Sequence, residues 1–393
     1  MVLLLLRERR LLALLLRVMR HGGPPALGGR TGVIWGRRCS MPTPVSPLPG
    51  RATPSATAAY AREARAAAGH FREALGVTVS SLGIGTYLGR DDDRTDAAYA
   101  DAVCRALQLG INVVDSAINY RNQRSERAVG RALRDGTVPR ERVLVCTKGG
   151  FLPFDGARPR DPRSFVEETY VRPGLLRWDE VVDGVHCLSP RFLSDQIDRS
   201  RRNLGVATID LYYLHNPETQ LGEVSRDEFL RRLRAAFAEL ERACDDQRIA
   251  AYGTATWNGY RLPDDDPEHL SIDDVLECAR EVGGARHRFR AVQLPFNLEM
   301  DEAASLPNQR GRTLLQAAAE AGIAVLASAP VLQGRLAHLS PAERQRLSGL
   351  DTDAQRALQF VRATPGITCA LVGTRSVAHV EENAAVARIA PAA

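Results

Sequence analysis

Lys148 is the only lysine of a 393-residue chain that carries 52 Lys plus Arg, so arginine fills the other 51 basic positions. The two cations differ chemically. Lysine is a compact point charge whose pKa its surroundings can move, while arginine is a planar fork that stays protonated. Lys148 ends the run Val143-Leu144-Val145-Cys146-Thr147-Lys148, which reads as a buried strand. Taken alone it has a plain reading as a solvated strand end, because most lysines are surface residues. Its chemical reading depends on what closes the neighbouring apolar runs. Asp115-Ser116-Ala117-Ile118-Asn119-Tyr120 follows one of them, and His215-Asn216-Pro217 follows another.

Each of these residues also has a plain explanation. Asp115 could cap a helix, Tyr120 could pack in a loop, and His215 could be a satisfied core histidine. Together they make a proton-transfer set. A tyrosine hydroxyl has an ordinary pKa of about 10, and an ammonium beside it favours the phenolate and lowers that value. An aspartate paired with the ammonium would hold it charged and in place. A neutral histidine would orient a substrate oxygen. Such a set protonates a carbonyl oxygen as a hydride reaches its carbon, or runs the reverse.

These residues need neighbouring strands that end on one rim. From residue 77 onward, strand-like apolar runs at 82–88, 112–115, 143–147, 209–214, 249–254, 291–294, 323–327 and 369–372 alternate with helix-period segments. Those segments are 95–109, 126–134, 190–204, 226–246, 272–282, 312–321, 353–362 and 377–385. Eight such units predict a parallel sheet closed into a (β/α)8 TIM barrel, in which reactive groups sit at the C-terminal ends of strands. A doubly wound sheet is the alternative, but no GxGxxG opens any of the helices. An alanine-rich stretch at 58–75 predicts one further short helix. The connection at 149–188, directly after Lys148, is too long for an ordinary loop, and such loops often cover sites. Its phenylalanines and arginines (Phe151, Phe154, Arg158, Arg160) point to a covered pocket for a substrate with an acidic group.

Charge and cysteine content narrow the class. The formal net charge of +5 is misleading, since residues 1–40 hold eight Arg against Glu8, contributing +7 and leaving −2 for the rest. The body therefore has no electrostatic reason to bind nucleic acid or an anionic membrane. The seven cysteines form no CxxC pair, so neither a metal site nor a disulfide framework is expected, and a cytoplasmic setting fits. His186-Cys187 adjoin without a second ligand cluster. Residues 1–55 are set aside as an N-terminal extension, disordered and either a targeting segment or a mis-called start before Met41, and 56–390 are assigned to the barrel.

The set resembles the aldo-keto reductase family. Gly110-Ile111-Asn112-Val113-Val114-Asp115, Tyr120 and Ser125-Glu126 resemble its first signature, with Thr147-Lys148 and Asp210-Leu211-Tyr212-Tyr213-Leu214-His215 matching the next two. The resemblance implies Tyr120 as general acid/base supported by Asp115, Lys148 and His215. It also implies an extended nicotinamide cofactor, NADPH first and NADH as the alternative. By the same resemblance Thr256 and Gln293 would hold the nicotinamide amide. Ser328 stands where a stacking ring is common, and Gly334 lies in the loop over the pyrophosphate. Gly373, Thr374, Arg375, Ser376, His379, Glu382 and Asn383 match the segment gripping the adenosine phosphate and adenine. Gly373 and Thr374 before a helix suit a phosphate on physical grounds as well. The expected partner is a small carbonyl compound, with the protein a monomer or weak homo-oligomer. Two other readings stand beside this one: a non-catalytic nicotinamide-binding barrel that senses redox state for a partner, and a Schiff-base lyase using Lys148 as nucleophile.

Overall fold

The protein is seen in a computed structural model that describes residues 46–391 except Ser348. The readings made for residues 1–45 lie outside the described residues. A hairpin of β1 (Phe71–Ala74) and β2 (Val77–Ser80) precedes eight parallel strands. These are β3 (Leu82–Gly85), β4 (Val113–Asp115), β5 (Leu144–Gly149), β6 (Ile209–His215), β7 (Ile249–Ala255), β8 (Phe289–Pro295), β9 (Ala324–Ser328) and β10 (Ile367–Gly373). They close in chain order, β10 pairing with β3. The architecture is the (β/α)8 barrel, and each of the eight predicted runs contributes one barrel strand.

Side-chain alternation divides the barrel into two cores. Val113, Leu144, Cys146, Leu211, Tyr213, Ala291, Leu326, Cys369 and Leu371 fill the interior. Val114, Val145, Tyr212, Leu214, Val292, Val325 and Val372, one residue out of phase, pack outward against the helices. The same parity carries the inward set forward to Asp115, Lys148, His215, Gln293, Ser328 and Gly373. A sequence that satisfies the apolar core thereby also aims the side chains of Asp115, Lys148, His215, Gln293 and Ser328 into the mouth of the barrel.

Helices begin and end on local signals. Asp92, Ser225, Ser271, Thr313 and Thr352 each accept a backbone N–H at a helix N-terminus. The helix Pro190–Leu204 opens on proline and stops at Gly205 in the left-handed conformation, φ 64°.

Two differences from the sequence reading concern the floor of the barrel. The helix expected over 58–75 is Pro54–Glu63, followed by irregular chain to His70 and then the first strand of the hairpin. Leu75 and Gly76 are both left-handed (φ 58° and 74°), which favours a tight two-residue hairpin turn over continued helix. Val77 and Val79 join the interior cluster and close the barrel from below. The second difference is the boundary at 55. Leu48 exchanges backbone hydrogen bonds with Gly205 and Ala207, and Thr53 N–H donates to Glu141 O. Ala52 N–H donates 2.7 Å to the buried carboxylate of Asp210, which also accepts from Arg140 and from Val145 N–H. A composition rich in proline, alanine and serine reads as flexible, but these bonds are made by backbone and are blind to composition.

The long connection after β5 is structured. It holds a helix at Pro162–Val166, a wider turn at Glu167–Val171 and a short turn at Trp178–Glu180. Val166, Tyr170, Leu176 and Cys187 form its own apolar cluster with Phe192. The link from β9 to β10 also carries a helix, Pro341–Arg346, that the sequence pattern does not predict. Among the described residues no helix is long and apolar enough to cross a membrane.

Candidate active site

Lys148 Nζ donates to Asp115 Oδ2 at 2.6 Å and to the carbonyl of Ser116 at 2.8 Å, with both side chains buried. The chain after β4 is laid along β5. Ser116 N–H donates to Cys146 O and Ile118 N–H to Lys148 O, and a turn from Ala117 O to Tyr120 N–H then folds the tyrosine back. The Tyr120 ring centroid ends 5.0 Å from Lys148 Nζ. His215, at the end of β6, meets the Tyr120 ring edge-on at 5.8 Å. The structure thus brings Asp115, Tyr120, Lys148 and His215 into one cluster.

Three consecutive left-handed residues follow Tyr120: Arg121 (φ 49°), Asn122 (φ 54°) and Gln123 (φ 71°). Such a run is costly for residues with side chains and persists only when its surroundings hold it. Arg121 is pinned to Asp96 at 2.5 Å and to the carbonyl of Arg90. Asn122 donates to Asp91, and Gln123 to the carbonyl of Phe154 in the long insertion. These residues fix the loop that carries Tyr120. Nothing in the sequence marks them for that role.

The electrostatics follow from burial against charge. Burial raises the Tyr120 pKa, the Lys148 ammonium lowers it, and the Asp115 carboxylate raises it again, leaving it pushed up to about 12. The lowering expected from the lysine is present but does not win, so the phenol is held protonated. For Lys148, burial disfavours the ammonium, yet Asp115 and Tyr120 outweigh it and its pKa lies above the ordinary lysine value. His215 is held well below the ordinary histidine range by burial, with Lys148 and His186 adding to the effect. It is neutral, and its Nδ1 is buried with no hydrogen-bond partner among the described residues.

The cofactor candidates fall in two groups on the same rim. Gln293 on β8 donates through Nε2 to the second oxygen of Asp115 at 3.0 Å, and its main-chain carbonyl accepts from Thr256 N–H. Thr256 Oγ1 is buried with no partner among the described residues, as is Asn119 Oδ1. An orphaned hydroxyl beside Gln293 fits a polar ligand group entering there. Ser328 is half-buried at the end of β9. Gly334 (φ 93°) lies in the tight turn Leu332–Ala337, where Leu332 and Gln333 are also left-handed.

The second group lies past β10. Gly373 is exposed, Thr374 Oγ1 accepts from Ser376 N–H, and Ser376 caps the helix Val377–Ala384. Arg375 and His379 are exposed, and neither has an ion-pair partner among the described residues. Asn383 is buried, while Glu382 accepts from Thr352 and, through its carbonyl, from Gln355. Glu382 is therefore already engaged by its own fold.

Aromatic rings complete the cluster. Tyr87, 38% exposed, lies 4.8 Å from the Tyr120 ring, and Phe151 of the insertion packs edge-on against His215 at 5.1 Å. Tyr87 stands two residues past β3, where the rim rule could have flagged it.

The sequence model of the Aldo/keto reductase family matches residues 81–347. A 6-dehydroglucose reductase of Novosphingobium aromaticivorans is 24% identical over 331 residues, which cover 80% of this chain and 88% of the relative. An uncharacterised oxidoreductase of Schizosaccharomyces pombe is 24% identical over 300 residues, covering 76% and 77%. Among solved structures, an aldo/keto reductase from Klebsiella pneumoniae in complex with NADP and acetate aligns with TM-score 0.55 at 20% identity, covering 80% of this chain and 88% of that one. That likeness concerns the fold, and the family match spans the strands that carry Asp115, Lys148, His215 and Gln293 but stops before β10. The chain belongs to the aldo/keto reductase family.

Proposed function

We propose that the protein reduces an aldehyde, ketone or sugar carbonyl at the expense of a nicotinamide cofactor, or oxidises the matching alcohol. The observation that carries this reading is the placement of the Tyr120 ring between the Lys148–Asp115 ion pair and neutral His215. The bound nicotinamide supplies or accepts the hydride at the carbonyl carbon. Tyr120 is the general acid/base: its hydroxyl gives the carbonyl oxygen a proton in reduction and takes it back in oxidation. Lys148 steadies the charge left on the phenol oxygen, and Asp115 keeps Lys148 charged and in place. His215, being neutral, directs the substrate oxygen without adding a second positive charge.

Thr256 and Gln293 would hold the nicotinamide amide. Gly334 would lie over the pyrophosphate, and Gly373 with Thr374, Ser376 and the helix start would receive the adenosine phosphate. Arg375, exposed beside that helix start, favours NADPH over NADH, with His379 and Asn383 as neighbours on the adenine side. A Schiff-base role for Lys148 is disfavoured, because a nucleophilic lysine needs a depressed pKa and this one is raised. The test is a cofactor-oxidation screen of carbonyl compounds with NADPH and NADH side by side. Turnover of at least one carbonyl with either cofactor is the expected result. A chain that binds cofactor and turns over none would contradict the reading.

A further inference from the structure

His186, singled out in the sequence only for its adjacent cysteine, sits fully buried at the far end of the long insertion. Among the described residues no group of three His, Cys, Asp or Glu side chains could hold a metal ion, so its use lies elsewhere. Its ring bridges two elements. Nε2 lies 2.8 Å from the carbonyl oxygen of His215, and Nδ1 lies 2.8 Å from Nε2 of Gln220.

The direction of these bonds is fixed from outside. Arg232 can only donate, and its Nη1 lies 2.6 Å from Oε1 of Gln220. That contact sets the amide orientation, so the end of Gln220 facing His186 is its NH2 group, which can only donate. Nδ1 of His186 must then be the bare acceptor, and the ring proton sits on Nε2, where it donates to His215 O. Burial pushes the His186 pKa down to about 4, so the ring stays neutral and the sequence of bonds stays intact near neutral pH.

The surroundings are shaped around that last bond. Asn216, directly after His215, is left-handed (φ 47°), and the chain turns sharply there. Gly150 has φ +131°, and a side chain on it would place Cβ 2.9 Å from His186 Nε2 and 3.3 Å from His215 O. Any other residue would wedge into the contact. The two ends of the insertion are stitched together at the same point, by Cys187 N–H to Gly150 O and Leu152 N–H to Val185 O. The Phe151 ring packs against both histidines, at 4.9 and 5.1 Å.

We propose that His186 is a positioning residue for His215: the chain Arg232–Gln220–His186 delivers one N–H to the His215 carbonyl and fixes the orientation of that residue toward the substrate. The insertion is then part of the reductive site and locked at its base. This rests on the reading of His215 as a site residue. Misplacement of a reacting group by about 1 Å can cost a hundredfold in rate.

The test compares His186→Phe with His186→Gln, whose amide can donate to the same carbonyl. kcat and KM are read for NADPH-dependent reduction of 4-nitrobenzaldehyde, NADPH affinity by fluorescence quenching, and the imidazole nitrogens by 15N NMR. In the wild type His186 should be the neutral Nε2–H tautomer. His186→Phe should lower kcat by roughly ten- to a hundredfold, leave NADPH affinity within about twofold, and shift the His215 ring signals. His186→Gln should recover most of the rate. Wild-type kcat in the Phe variant, or a Gln variant as slow as Phe, would overturn the proposal. Should His186→Phe fail to fold, Gln220→Leu keeps the imidazole but releases its tautomer, and unchanged His215 signals with unchanged kcat there would overturn it equally. If the wild type itself reduces no carbonyl, the reductase reading fails, and the NMR comparison still decides whether His186 governs His215.

Discussion

Lys148 Nζ stands 2.6 Å from Asp115 Oδ2, and the two are buried together at the mouth of the barrel. The other carboxylate oxygen accepts from Gln293, and Lys148 also donates to the carbonyl of Ser116, so both partners of the ion pair are held by further bonds. A wide planar guanidinium cannot occupy the same space and still leave one compact charge beside the phenol of Tyr120. Lys148→Arg is therefore expected to lower kcat for carbonyl reduction by at least about a hundredfold although the formal charge is kept. Steady-state kinetics with NADPH check this, and activity near wild type would show that the lysine is not special.

The pKa balance at Tyr120 sets an expected pH profile. With the free-enzyme value pushed up to about 12, the phenol remains protonated through the neutral and mildly alkaline range. kcat/KM for reduction should therefore show no loss from Tyr120 between about pH 6 and 9. In the oxidative direction the same group must act as base, so kcat/KM should climb with pH across that interval. Rate profiles in both directions test this together.

Cofactor choice is expected to hinge on Arg375. Replacing it with alanine should weaken NADPH binding by about tenfold, the scale of one charge-assisted phosphate contact, and barely alter NADH binding. Fluorescence titration of both cofactors measures the difference. Equal losses for the two would remove Arg375 from the phosphate site.

Acid stability should depend on the buried histidines. His70 is fully buried below the barrel, donating through Nε2 to the carbonyl of Gly110 and meeting the Ser81 hydroxyl through Nδ1. Burial, aided by Arg362 and Arg72, pushes its pKa down to about 4 from an ordinary 6.5. Between those values the unfolded chain binds the proton and the folded one does not, so stability falls as pH drops through that window. From pH 7 to pH 5 the loss from this residue is roughly 2 kcal/mol. Urea unfolding at the two pH values should show a smaller drop for His70→Gln than for the wild type.

The barrel was legible because its strands are short apolar runs with a strict inward and outward alternation. Asp115, Lys148 and His215 extend the inward series past the core, which is why strand ends alone located them. What depends on three-dimensional neighbours was not legible. The first hairpin strand, Phe71–Ala74, falls inside an alanine-rich helical pattern, and the turn shows only in the left-handed pair Leu75-Gly76. The strap at Leu48–Thr53 is held by backbone bonds that leave no trace in composition. The strained run Arg121–Gln123 and the contact from His186 to His215 join residues distant in sequence. The upward pKa of Tyr120 reflects burial, which a list of charged neighbours does not contain.

The measurement that bears most directly on the central claim is carbonyl reduction by Tyr120→Phe. The substitution removes one hydroxyl and keeps the ring that packs against Tyr87 and His215. With a substrate found in the NADPH and NADH screen, kcat should fall by roughly a thousandfold or more while cofactor affinity stays within about twofold. Turnover at the wild-type rate in that variant would contradict Tyr120 as the acid, and with it the account of the site.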